Sequence, residues 1–236
     1  MDLKIPKIIH QIWSGVDEPL PDYFRRFGDT WKEQNPDWTY EYWDEARMNV
    51  FLQEYYPQYL DTYKAFHYNV QRWDAIRYLI LERIGGLYAD FDSECIKPID
   101  ELLLDKTCCF SMEPYEHGLV FNRENFFNNA IMASIPNHPF IKEVVEKVFA
   151  YNPDETPALP EYKIMEVLKS TGPLKLVNLY ATYLEKDSIY LIPSEYTSPF
   201  TKNEVQRILI NENVEDLENK LDKAYAVHYF FNGWVS

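Results

Sequence analysis

Apolar and polar positions change period along this chain, and each change marks an element. From Val70 onward, Trp73, Ile76, Ile80 and Ile84 recur at helical spacing and form one apolar stripe. Gly85-Gly86 then stops the helix, because glycine takes the left-handed conformation without steric cost. The period falls to two over Leu87–Asp92. Leu87, Ala89 and Phe91 go to one side of a strand, and Tyr88, Asp90 and Asp92 go to the other.

The same criteria organise the remainder. Ile5–Trp13 is a β-branched apolar run and predicts a buried first strand. Pro21–Gln34 predicts an amphipathic helix, with Tyr23, Phe24, Phe27 and Trp31 on its apolar side. Trp38–Trp43 is aromatic and predicts a second strand; Asp44 caps a helix running to about Tyr55, which Pro57 breaks. A short helix over 58–68 precedes Val70. Beyond Asp92 the expectations are a short extended piece at Cys95–Ile99 and a strand at Thr107–Met112. Helices follow at Asn125–Ser134 and His138–Tyr151. Residues 152–162 are rich in proline and acid and predict an exposed loop. A helix over about 162–170, a turn at Thr171-Gly172-Pro173 and a strand at Ile189–Ile192 come next. Glu204–Lys220 predicts a surface helix, and the tail from Ala224 a strand that finishes in a Gly-Trp turn. Strand–helix–strand with further helices is the pattern of an α/β domain with a Rossmann-like, mostly parallel central sheet flanked by helices. All 236 residues fit one such domain.

Charge narrows the function classes. With 23 basic and 38 acidic side chains the net charge is −15, which disfavours nucleic acid and anionic lipid as general partners. The N-terminal segment has no long apolar core, and no run approaches a membrane span, so the expectation is a soluble, cytoplasmic protein without a transmembrane segment. Three cysteines, two of them adjacent, make no disulfide framework and read as buried apolar residues in a reducing compartment.

Chemistry concentrates at Asp90-Phe91-Asp92. Two carboxylates on one face at a strand end have the geometry to hold a hard divalent cation against a phosphate. Asp74 and Arg77, three apart on the preceding helix, are neighbours there. Trp13 stands at the end of the first strand, before Ser14-Gly15. Its indole suits either a base-stacking role or the capping of a sheet edge.

The order Asp-x-x-Arg-Tyr, Gly-Gly-x-Tyr-x-Asp-x-Asp and Lys-Pro-Ile-Asp across residues 74–100 resembles glycosyltransferase family 32. That family is similar in turn to the catalytic domains of large clostridial glucosylating toxins. The resemblance implies a GT-A fold and a metal-dependent, retaining transfer of a hexose or N-acetylhexosamine. The donor is a nucleotide sugar, with a UDP-sugar favoured, and the acceptor a glycan or glycolipid in polysaccharide biosynthesis, which leaves room for peripheral membrane association. It implies Asp92 as direct ligand of Mn²⁺ or Mg²⁺, with Asp90 contacting ribose or sugar and helping to hold the ion. Asp74 and Arg77 bind donor sugar and diphosphate, and Tyr88 contacts the nucleoside. Trp13 packs on the base, and Asn129, on the expected 125–134 helix, contacts a sugar hydroxyl. His228 is implied as a second metal ligand, and Trp234 as part of a flap over the diphosphate. A nucleotide-sugar-binding relative without transfer activity, or a metal-dependent phosphohydrolase, are the competing classes; Asp-x-Asp serves in the latter too.

Overall fold

Residues 2–152 and 160–231 are described by a computed structural model. The first apolar run forms strand β1 (Ile8–Ile12), followed by helix α1 (Asp22–Gln34) and strand β2 (Thr39–Trp43). Helices α2 (Glu45–Tyr55), α3 (Leu60–Ala65) and α4 (Asn69–Arg83) lead to strand β3 (Gly86–Ala89). As expected, the Asp44 carboxylate caps α2, accepting from the Arg47 backbone N–H at 2.8 Å. Gly85 and Gly86 turn α4 into β3 with φ of 72° and 100°. A side chain is excluded at Gly86 on a second ground: a Cβ there would lie 2.5 Å from the Ile8 carbonyl oxygen.

Next come strand β4 (Ser93–Cys95), helix α5 (Asp100–Leu103), strand β5 (Cys108–Met112) and helix α6 (Tyr115–Leu119). Strand β6 (Phe127–Ser134) and helices α7 (Pro139–Phe149), α8 (Lys163–Ser170) and α9 (Pro173–Thr182) follow. The last elements are strand β7 (Tyr190–Ile192), helices α10 (Ser194–Thr197) and α11 (Lys202–Leu209), and strand β8 (Ala226–His228).

The main sheet has the order β2-β1-β3-β6-β5-β7. β1 pairs in parallel with β2 and β3, and β5 with β7, while β6 runs antiparallel between β3 and β5. The sheet is therefore mostly parallel, as the pattern predicts. The larger core lies between one sheet face and α4, α7 and α9, with Ile76, Leu79, Tyr88, Phe110 and Met132 in it. The other face carries Ile9, Leu87 and Ala89, packed with Trp31 of α1. Leu87 and Ala89 thus separate from Tyr88 as their alternation requires.

Three expectations are corrected. Residues 125–134 do not form a helix: 127–134 is the antiparallel strand β6, buried along its whole length. A strand covered on both faces has no polar face to reveal a period of two, so its run of small and apolar residues reads equally as helix. The surface helix expected over 204–220 is α11, which ends at Leu209; Asn211 and Asn213 then take left-handed conformations that break it. Helix α9 answers to no expected element. Pro173 opens it and Gly172 precedes it, the residues that marked a turn in the sequence.

Among the described residues no helix is long and apolar enough to cross a membrane. Cys95, Cys108 and Cys109 are free and buried. The 152–162 loop falls mostly outside the described residues, with Pro160–Tyr162 forming a 3-10 turn. The terminal Gly-Trp turn, Trp234 included, lies outside them entirely.

Candidate active site

Helix α4, the end of β3 and strand β6 converge on one buried charge cluster. Arg77 lies at its centre, 5% exposed. Its Nη1 donates to Asp90 Oδ1 at 3.1 Å and to the Asn129 carbonyl oxygen at 2.9 Å, and its Nε donates to the Trp73 carbonyl oxygen. Nη2 stands 3.2 Å from Asp74 Oδ1, the ion pair that the spacing of three on one helix predicts. The guanidinium also covers the Tyr88 ring, 4.5 Å from its centroid. A buried arginine is tolerable here because two carboxylates and two carbonyls replace its hydration.

Asp74 accepts from Asn129 Nδ2 at 2.8 Å and from Thr171 Oγ1 at 2.9 Å. Burial raises its carboxyl to about 6, against the pull of Arg77. Asn129 reaches it from β6, so the residue meets the cluster although its element was expected to be helical. Tyr78 completes this side, accepting from Asn129 Nδ2 and donating to the Thr171 carbonyl oxygen at 2.6 Å. Tyr78 is the tyrosine of Asp-x-x-Arg-Tyr, to which the sequence assigned no role; it stands four residues after Asp74 and so shares its helix face.

Asp90 is raised by burial, with Arg77 opposing, and Tyr88 donates its hydroxyl to Oδ1 at 2.5 Å. The Tyr88 ring is itself buried, so the structure places it beneath Asp90. Asp92 opens the second, two-stranded sheet, in which β4 pairs antiparallel with β8 and Ser93 lies opposite His228. This pairing carries the C-terminal segment back to the Asp-x-Asp. His228 Nε2 comes to 3.3 Å from Asp92 Oδ1, and the backbone N–H groups of Tyr229 and Phe231 donate to the Asp92 carbonyl and to its Oδ2. Burial alone would raise Asp92, but His228 and the Phe231 N–H hold it below the usual carboxylate range. His228 moves oppositely: burial lowers it, but the charge and hydrogen bond of Asp92, together with the charges of Asp90 and Glu113, more than offset this, so it titrates above its ordinary value.

Asp90, Asp92 and His228 each offer a ligand atom, and these atoms lie within 4.8 Å of one another. The donor set fits a divalent cation. Two carboxylates and an imidazole suit Mn²⁺ or Mg²⁺, and the nitrogen favours Mn²⁺. Among the described residues His228 Nδ1 is buried without a hydrogen-bond partner, and the ring meets Asp92 through the other nitrogen.

Trp13 follows β1 on the same side of the sheet as Phe91, and their ring centroids are 6.2 Å apart at nearly a right angle. It is half-buried, its Nε1 donates to the Glu18 carbonyl oxygen at 2.9 Å, and it lines a cavity of about 550 Å³ with Phe91. Gln11 ties this side of the sheet to the aspartates. It accepts from Tyr40 and lies 3.4 Å from the Asp90 carbonyl oxygen.

Residues 21–109 match the family described as glycosyltransferase sugar-binding region containing DXD motif. The uncharacterized glycosyltransferase L373 of Acanthamoeba polyphaga mimivirus is 30% identical over 205 residues, which cover 86% of this chain and 70% of that protein. The chain belongs to glycosyltransferase family 32. Another family 32 relative is the mannosyl phosphorylinositol ceramide synthase CSH1 of Saccharomyces cerevisiae. It is 32% identical over 179 residues, covering 76% of this chain and 43% of the yeast protein, so the chain spans less than half of that relative's length. The fold is that of a solved structure, the PaToxG glycosyltransferase, with a TM-score of 0.54 at 18% identity over 92% of this chain and 76% of the other. Within family 32, the matched region includes α4, β3 and both aspartates, whereas His228 lies beyond it.

Proposed function

We propose that the chain transfers a hexose or N-acetylhexosamine, with retention, from a UDP-linked donor to a glycan or glycolipid acceptor. The carrying observation is the convergence of Asp90, Asp92 and His228 beside an arginine that pairs with both Asp74 and Asp90. Asp92 and His228, with Asp90, would hold Mn²⁺ or Mg²⁺. A divalent ion bound there supplies Lewis acidity to the diphosphate leaving group, worth several kcal/mol of transition-state stabilisation.

The remaining work falls to the chain's own side chains. Arg77 is held by its Nε and Nη1 hydrogen bonds and by the pairing of Nη2 with Asp74, so its charge is fixed beside the Asp-x-Asp for a donor phosphate. Asp74 and Asn129 fix each other at 2.8 Å, so both are pre-oriented toward sugar hydroxyls. Tyr88 aims Asp90, and Trp13 offers a face to the base. Among the described residues no further carboxylate stands out as a nucleophile, which supports front-face displacement, the leaving phosphate accepting the acceptor's proton. Trp234 is assigned to a flap that keeps water from the diphosphate. The yeast relative's name records a mannosylated phosphoinositol ceramide, which supports a hexose donor and a lipid-borne acceptor here. Such an acceptor would bring the protein to a membrane surface.

The test is release of nucleoside diphosphate from a panel of nucleotide sugars, with and without Mn²⁺, in wild type and Asp92→Asn. Metal-dependent release that Asp92→Asn abolishes is expected. Binding without turnover would reduce the chain to a binding module. Hydrolysis of simple phosphate esters without sugar transfer would make it a phosphohydrolase.

A further inference from the structure

Phe230 stands two residues beyond His228 with its backbone at φ 51°. The other non-glycine residues of positive φ among the described residues are all Asn or Asp, whose short polar side chains tolerate that conformation. A bulky aromatic there is strained, and glycine would take the same backbone without steric cost. The backbone and the ring of Phe230 each do something that offsets the strain.

The backbone wraps Asp92. Tyr229 N–H donates to the Asp92 carbonyl oxygen at 2.9 Å, and Phe231 N–H to Asp92 Oδ2 at 3.0 Å. In an extended segment those two N–H groups would stand about 7 Å apart. Both acceptors belong to one residue, so the chain has to curl between them, and the left-handed Phe230 supplies the curl. Tyr229 and Phe231 then pack on α1, against Phe27 and Phe24, while the Phe230 ring goes to His117 of α6 and Val205 of α11.

The ring also lies against His228, their centroids 4.2 Å apart at 51°. His117 meets the same ring at 4.9 Å, close to a right angle. His117 is itself pinned. Its Nε2 accepts from the Lys202 backbone N–H at 3.0 Å, so Nδ1 carries the proton donated to Glu113 Oε2 at 2.8 Å. A metal-binding histidine is ordinarily oriented by an acceptor on its second ring nitrogen. Among the described residues His228 Nδ1 meets none, and what faces its ring instead is Phe230.

We propose that Phe230 is a positioning residue for the divalent-cation site: its ring, clamped by His117, fixes the His228 imidazole so that Nε2 stays beside Asp92. The inference rests on the metal reading above and deepens it.

The experiment measures Mn²⁺ binding to the whole chain by calorimetry, alone and with UDP present. Wild type is compared with Phe230→Gly, Phe230→Tyr, His117→Ala, His228→Ala and the double variant Phe230→Gly/His228→Ala, and thermal melts without metal check their folding. Phe230→Gly keeps the left-handed backbone and removes the ring, and should weaken Mn²⁺ about tenfold. Phe230→Tyr keeps the ring and should bind within about twofold of wild type. His117→Ala should weaken Mn²⁺ by a smaller factor. Without the ring His228 is already misplaced, so adding His228→Ala to Phe230→Gly should cost no more than about another twofold. Wild-type Mn²⁺ affinity in Phe230→Gly, or losses from the two substitutions that simply multiply, overturns the inference. Phe230 would then be a packing residue beside Val205, and the metal site would stand without it. If Phe230→Gly does not fold, His117→Ala decides: weaker Mn²⁺ at an unchanged Tm supports the clamp, and wild-type affinity overturns it. Failure of the wild type to bind Mn²⁺ overturns the metal reading and this inference together.

Discussion

His10 makes the sharpest prediction about stability. It is fully buried on β1, where its Nδ1 accepts from Trp43 Nε1 at 3.1 Å and its Nε2 faces the Gly85 carbonyl oxygen at 2.9 Å. That carbonyl requires a proton on Nε2, so both nitrogens are satisfied only in the neutral ring. Burial lowers its pKa from 6.5 to about 4. The unfolded chain therefore takes up this proton first on acidification. The contribution is fully present above pH 6.5 and is lost as pH falls toward 4, about 3 kcal/mol over the whole window. Between pH 7 and pH 5 the loss is about 2 kcal/mol. Asp74 opposes it: raised from 3.8 to about 6, it protonates first in the fold, and its linkage favours the folded state as pH falls through 6. At pH 5 that return is on the order of 1 kcal/mol, so the wild-type profile conceals both groups. Comparison with His10→Gln isolates the first. Urea unfolding of both proteins at pH 7 and pH 5 should show the wild type losing about 2 kcal/mol relative to the variant. A stability difference that does not change with pH would refute the neutral, proton-refusing assignment.

Gly86→Ala should destabilise by at least about 2 kcal/mol, since a Cβ would meet the Ile8 carbonyl oxygen and the backbone has φ of 100°; urea midpoints check this. Trp13→Ala should raise the donor KM about tenfold, as loss of base stacking costs ~1–3 kcal/mol; unchanged KM with lowered stability would return Trp13 to a packing role. His228→Ala should raise the Mn²⁺ concentration for half-maximal activity far more than it lowers Tm, and an unaltered metal requirement would remove it from the site. Deleting residues 229–236 should lower turnover while leaving the main sheet's melting transition in place, because the described residues among them, 229–231, lie outside that sheet.

What could be read in the sequence follows from how locally each feature is encoded. The α4 stripe, the Gly85-Gly86 stop and the Asp44 cap each depend on a few adjacent residues and appear as expected, as does the alternation over Leu87–Ala89; the strand ends there, and Asp90–Ser93 is a turn rather than its continuation. The Arg77 cluster was legible for the same reason, since Asp74 and Arg77 share a helix and Tyr88 and Asp90 share a strand face. β6 was not legible: its neighbours on both sides are supplied by β3 and β5, and burial of both faces removed the polar positions that mark a strand. Asn129 was therefore nominated by family resemblance on the wrong element. Thr171, which donates to Asp74, is brought in after α8 from far along the chain; family resemblance puts its turn near the active site, but no local period announces the contact.

The pairing of β4 with β8 has a thermodynamic consequence. Asp92 and His228 belong to opposite ends of a chain loop of on the order of 130 residues, joined by one short two-stranded ladder. An ion ligated by both residues would be a reversible crosslink across that loop, and closure of so long a loop is worth at most about 5 kcal/mol in the chain-entropy picture. Occupancy would then register in the fold as well as in catalysis. Titrating Mn²⁺ should raise Tm, slow amide exchange across residues 226–231, and leave α7, on the far side of the sheet, exchanging at its former rate.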